Sequence, residues 1–456
     1  MEKPADSDYL KVIGARIFSE ANDLKRTPEA LAADLQKNVD EVQAVIEGRA
    51  DVADARALMF AMADYYPISI SDIWVDADDT DEGVHIMSAN QSRGTARVFQ
   101  RVDRTGGQSD YYEYRDTAMS RSAPFKPEWI EELRVVDDND PDNPDVAYNN
   151  GHFLHQTTFF IGPVNFYWEL NGKKHCEQLN TGDSNYITPF VPHSFTSRDP
   201  NQRGLIIAVT YAGQVGHALR EFMAVGADAA GQAAGDLRAA DVFHRRLWRQ
   251  LDAESLELDA FVERLETAGI TRARSLAIVA PDAALNSDEI EILAKCLSVR
   301  PADLTISGLS AGEEVIIRRC GEAVERIFPS GNEPTYRMVE LARNRHQPYL
   351  KGFDVTVLGD VGGVMRHSLH QYVYNYGDAP LRIHWNDNKH ALLNPGDSAY
   401  VRPLISHRFA CVEPGRKGRL AMIRVPGRLN DGALDEYAMF ALEGRSRVAG
   451  ESRRWF

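Results

Sequence analysis

At 456 residues the chain is longer than one hydrophobic core supports and suits two to four domains. Its 43% hydrophobic content is ordinary for a soluble globular protein, and a formal net charge of −16 argues against a protein that works by gripping nucleic-acid phosphates. Apolar runs are far shorter than a membrane span, Met1-Glu2-Lys3-Pro4 does not open a signal peptide, and Cys176, Cys296, Cys320 and Cys411 show no paired spacing; a cytoplasmic chain with reduced thiols is expected, in which any metal is held by His, Gln or carboxylates.

Residues 8 to about 75 read as helices within a first domain spanning 1–80. Thr27-Pro28-Glu29 starts one of them, with Thr as cap and Pro in the first turn. Leu31, Leu35, Val39, Val42 and Ile46 give an apolar stripe broken by a turn, and Ala57 to Tyr66 gives a further helix ending near Pro67. The shape is that of a helix-turn-helix module. Its would-be recognition segment, Asn38 to Glu47, carries Asp40, Glu41 and Glu47 with no Lys or Arg, so a packing role is expected rather than DNA binding.

Residues 95–212 read as a β domain. Thr157-Thr158-Phe159-Phe160, Phe166-Tyr167-Trp168 and Leu205 to Val209 are aromatic and branched runs, and Asn171-Gly172 is a hairpin signal. Asp137 to Pro144 reads as a solvated loop. Residues 213–308 read as a linker helix, with a flexible Gly226–Gly235 stretch, followed by a second helical domain. Within it Leu293, Ala294, Leu297, Val299, Asp303 and Leu304 echo Met62, Ala63, Tyr66, Ile68, Asp72 and Ile73. A second β domain is expected over 312–430 and a C-terminal tail over 431–456.

The β domains repeat one another in residue type. His152-Phe153-Leu154-His155-Gln156 returns as His367-Ser368-Leu369-His370-Gln371. Gly182-Asp183-Ser184, Tyr186, Pro189, His193 and Phe195 return as Gly396-Asp397-Ser398, Tyr400, Pro403, His407 and Phe409. On a strand, His152, Leu154 and Gln156 share one face and His155 takes the other, so His152, Gln156 and His193 can converge on a metal from adjacent strands. Two His and one oxygen donor with open positions is the pattern of non-haem Fe(II) oxygen chemistry, here with an amide where a carboxylate is usual. The fold expected is α+β: a tandem duplication of a small helix-turn-helix-like domain plus a cupin (double-stranded β-helix) barrel.

Asn149-Asn150-Gly151-His152, Gly182-Asp183-Ser184 and Pro192-His193-Ser194 within this duplication resemble the 2-hydroxyethylphosphonate oxygenases over nearly the whole chain. One branch, the dioxygenases, places a Glu ligand six residues before the second His, where this chain has Ile187. The other, the methylphosphonate synthases, uses a Gln four residues after the first His, where this chain has Gln156. The resemblance implies His152, Gln156 and His193 as ligands of Fe(II), 2-hydroxyethylphosphonate as substrate, O2 as co-substrate and no need for 2-oxoglutarate. It further implies Arg104, Tyr114 and Asn149 around the phosphonate, with Arg101 as rival to Arg104. A Lys from a neighbouring subunit of a homo-oligomer, Lys25 or in its place Arg26, would reach over the site.

In the second copy His367, Gln371 and His407 keep the face logic, but Val364-Met365-Arg366 replaces Asn149-Asn150-Gly151, so that barrel reads as structural. The competing functions are a dioxygenase yielding hydroxymethylphosphonate and formate, and, in another class, a helix-turn-helix–cupin transcriptional regulator.

Overall fold

The computed structural model describes residues 6–234, 242–281, 283–305, 313–330 and 334–449. The N-terminal bundle runs Asp6–Asp23, Pro28–Asp34, Val39–Ile46, Val52–Tyr65 and Ile70–Ile73. Thr27 caps its helix by accepting from Ala30 N, with Pro28 in the first turn. Leu31, Val42, Leu58 and Met62 are buried in one cluster, whereas Val39, expected in the apolar stripe, opens its helix in the first turn and stays exposed. The second bundle, from Val242–Ala253 to Pro301–Leu304, repeats the plan, with Leu293, Ala294, Leu297 and Leu304 inside. Among the described residues no helix is long and apolar enough to cross a membrane.

Two antiparallel β units follow the same plan. In the first, a seven-stranded sheet runs Val315–Arg318, Ser184–Ile187, His155–Ile161, Gly204–Tyr211, Phe125–Glu132, Gln108–Asp116, Arg97–Val102. It is faced by Lys173–Leu179, Val164–Leu170 and His193–Ser197. Asn171 and Gly172, both at positive φ, close the hairpin between Leu170 and Lys173. In the second unit Val84–Met87 edges a sheet continuing through Ser398–Val401, His370–Asn375, Gly418–Val425 and Lys351–Val357 to Tyr336–Glu340 and Glu325–Phe328.

The first strand of each unit has changed sides. Val84–Met87 pairs with Ser398–Val401 of the second unit, and Val315–Arg318 pairs with Ser184–Ile187 of the first. A boundary at 312 therefore does not hold for Val315–Arg318. The exchanged chain is held by the repeated Gly-Asp-Ser. Asp183 accepts from Cys320 N at 2.9 Å and Ser184 Oγ from Ala342 N at 2.8 Å. Asp397 accepts from Ala89 N and Ser398 Oγ from Ala118 N, both at 2.8 Å. The outer faces of the two large sheets share one core, in which Trp129 Nε1 donates to Tyr374 OH at 3.0 Å.

Two expectations about the connections are corrected. The stretch expected to be flexible contains a helix, Ala227–Ala234, because five alanines outweigh the single Gly231 inside it; Gly235 lies outside the described residues. The expected tail forms helices Asp431–Met439 and Leu442–Ala449, the first capped by Asn430, while 450–456 lie outside the described residues.

Candidate metal centre

His152 sits just before the strand His155–Ile161, on a loop fixed by close backbone contact. Phe190 N donates to His152 O at 2.9 Å. Gly151 has φ +71, and a Cβ there would lie 2.5 Å from the Phe190 carbonyl carbon, so only glycine fits. Asn149 Oδ1 accepts from Gly151 N at 2.9 Å and from His193 N at 3.0 Å, tying the loop to the strand His193–Ser197.

The three predicted donors meet. His152 Nε2 lies 3.1 Å from Gln156 Oε1, and the two imidazoles stand perpendicular with centroids 5.2 Å apart. Gln156 Nε2 donates to Thr158 Oγ1 at 2.9 Å, which turns the amide oxygen toward His152. His193 Nδ1 lies 2.8 Å from Val191 O and donates to it, leaving the Nε2 lone pair for the cavity, 3.1 Å from Asn149 Nδ2. Burial holds His193 down at about 4, so its ring is neutral near pH 7. Two imidazoles and an oriented amide oxygen fit a divalent iron with open positions. Among the described residues no group of three His, Cys, Asp or Glu is placed to hold a metal ion. His155 faces away, stacked on Tyr186 and Tyr211.

These donors line a cavity of about 250 Å³ together with Tyr114 and Asn149. Arg101 also lines it; Arg104 does not. Arg104 is a correction: it stands in the turn after the strand Arg97–Val102, exposed, with its guanidinium on Asp145. Lys25 lies outside this chain's cavity, in an exposed turn with Nζ 3.4 Å from Asn22 O. Arg26, its rival, is held by Asp34 at 2.8 Å and lies against Tyr66. Lys126, Glu128 and Thr210 line the cavity and were missed. Their signal was the alternation Lys126, Glu128, Ile130 on one face of a strand. Burial raises the Glu128 carboxyl and also the Tyr114 phenol, which therefore keeps its proton to donate.

The second unit has the same three residues in a different hydrogen-bonding arrangement. Thr210 pairs with Gln156 in the first unit; Arg424 pairs with Gln371 in the second. Arg424 Nε donates to Gln371 Oε1 at 2.8 Å, and that oxygen also meets His367 Nε2 at 3.1 Å. Gln371 Nε2 faces His407 Nε2 at 2.9 Å, so the amide is consumed. The neighbouring positions are filled in step: Glu128 becomes Phe353 and Ala208 becomes Met422. The part-buried Arg424 guanidinium puts a positive charge beside Gln371, where the first unit has the uncharged Thr210.

No family model matches the chain. It is similar to the methylphosphonate synthase of Nitrosopumilus maritimus (strain SCM1), with 36% identity over 469 residues covering 100% of this chain and 98% of the relative. Among solved structures it is similar to Streptomyces albus 2-hydroxyethylphosphonate dioxygenase with 2-hydroxyethylphosphonate and Fe(II) bound: 32% identity, TM-score 0.88, covering 99% of this chain and 100% of that one. PhpD with cadmium shares the fold at TM-score 0.74 and 18% identity, over 97% of this chain and 99% of that one.

Proposed function

We infer that this chain, which belongs to the methylphosphonate synthase family, is an iron-dependent oxygenase that cleaves 2-hydroxyethylphosphonate to methylphosphonate and carbon dioxide or bicarbonate. The observation that carries the synthase outcome is Gln156 beside His152, with the buried, non-ligating Ile187 where the dioxygenase branch has Glu. The substrate's alcohol carbon supplies the electrons that O2 takes up, so 2-oxoglutarate is not required. Each β unit is read as a cupin barrel, the second without a metal, and each helical bundle as a helix-turn-helix-like docking domain.

His152, Gln156 and His193 would hold the iron. Bound iron supplies a place for O2 and for the substrate's oxygens to meet. Tyr114, Asn149 and Arg101 offer the phosphonate fixed donors in a walled cavity, which orients the carbon chain and excludes water. Lys25 is assigned to the cavity of a neighbouring copy in a homo-oligomer, since Arg26 is already engaged within its own bundle.

The test is the phosphorus product. Protein loaded with Fe(II) without oxygen, then given O2 and 2-hydroxyethylphosphonate, should yield methylphosphonate by phosphorus NMR. Hydroxymethylphosphonate alone would move the chain to the dioxygenase branch, and no turnover would overturn the reading. The placement of the arginines gives a second expectation. Arg101→Ala should raise KM roughly tenfold or more, the worth of one hydrogen bond to a charged group, while Arg104→Ala stays within about twofold.

A further inference from the structure

The two β units differ in charge at matching positions. In the first, Arg97 pairs with Asp116 at 2.8 Å, and Lys126 and Glu128 stand nearby on one strand face. Two cations thus meet two carboxylates. The register places Arg326, Glu340, Lys351 and Phe353 at the equivalent positions of the second unit, with the Arg326–Glu340 pair kept at 2.9 Å. Phe353 has replaced the second carboxylate, and two further cations have arrived. Arg424 enters from the neighbouring strand, and Arg343 shares Glu340 at 2.9 Å. The guanidinium carbons of Arg326, Arg424 and Arg343 lie 4.6, 5.3 and 5.6 Å from the centre of the Phe353 ring.

Glu340 is thus shared by Arg326, Arg343 and Lys351, with Arg424 close by, and the cations feel one another. Burial lowers the pKa of Arg343 and of Lys351, and positive neighbours add to both shifts, with only Glu340 opposing. Arg343 Nε is buried with no hydrogen-bond partner. The Arg326 and Arg343 side chains remain 44% and 31% exposed, so a solute can reach them. An orphan donor, excess positive charge and an aromatic floor that holds three planar forks together suit an oxyanion with several acceptor oxygens.

We propose that this cluster on the second β unit is a binding site for a small dianionic oxyanion of the phosphate or phosphonate class, separate from the metal cavity. The site does not depend on the reaction assigned to the first unit. Full-length, metal-free protein is titrated calorimetrically with inorganic phosphate and, separately, with methylphosphonate, at constant ionic strength set by chloride. To silence the first cavity, the background carries Arg101→Ala and Asn149→Ala.

Binding should persist in that background and weaken roughly tenfold or more when Arg326→Gln and Arg343→Gln are added. The tighter of the two anions identifies the source. The same two substitutions in the otherwise native, iron-loaded enzyme should leave turnover within about twofold, since neither residue touches the first cavity. Glu340→Gln releases both guanidiniums and should tighten binding, which keeps the idea testable if the double variant does not fold. Isotherms unchanged by Arg326→Gln with Arg343→Gln, or by Glu340→Gln alone, or heats reproduced by chloride, would overturn the proposal and leave the cations as a plug.

Discussion

His193→Ala is expected to empty the iron site and reduce turnover by roughly three orders of magnitude, equivalent to about 4 kcal/mol of transition-state stabilisation. The loss follows from the donor count. Only two imidazoles and one amide converge, so removing an imidazole leaves a weak pair. Losing even an outer partner of a metal ligand costs roughly 10–100-fold in affinity, and losing a ligand itself costs more. His407→Ala, the matching change in the second unit, should leave both iron content and turnover near wild type, because Arg424 already occupies the Gln371 amide there. Iron per chain by elemental analysis checks both variants. Equal iron loss from His193→Ala and His407→Ala would mean that both units bind metal.

The second large effect is expected from Thr210→Arg, which rebuilds in the first unit what the second already contains. Thr210 stands beside Gln156 as Arg424 stands beside Gln371. A guanidinium at 210 can take the Gln156 oxygen and places a positive charge in the cavity, so iron uptake should fall by at least roughly a hundredfold. The added bulk enters open space, so the stability cost should stay at the low end of the roughly 1–3 kcal/mol typical of overpacking. Thr210→Val, similar in size and uncharged, should retain iron. The comparison separates charge from shape, with a denaturation curve of each variant showing that the fold is intact. Retention of iron by Thr210→Arg would show that the paired arginine is not what closes the second unit.

The centre was legible because it is written twice. His152, Gln156 and His193 stand out against ordinary strand residues when His367, Gln371 and His407 recur at matching intervals. What separates the copies was less visible, since Arg424 and Phe353 act through cross-strand neighbours that a linear reading does not pair. The family resemblance points to Arg104, and Arg101 is its rival because Arg104 adjoins the Gly106-Gly107 loop. The ladder shifts register between Phe99 and Gln100, and the strand ends at Val102, so Arg101 lines the cavity while Arg104 turns out to Asp145. Strand exchange was invisible for a related reason. Val84–Met87 and Val315–Arg318 are four-residue strands, and nothing local tells such a segment which sheet edge will accept it. Alternation also placed His155 correctly on the opposite face from Gln156.

That crossover gives the second half a mechanical purpose. The sheet carrying Gln156 is completed at its edge by Val315–Arg318, a segment encoded beyond the second bundle, and the second half borrows its own edge from Val84–Met87, encoded just beyond the first bundle. Neither half can close its hydrogen-bond ladder alone, and each would present a bare edge open to aggregation. The second copy is thus a scaffold the first cannot shed, and damage to it would surface in the distant cavity around His152 and His193.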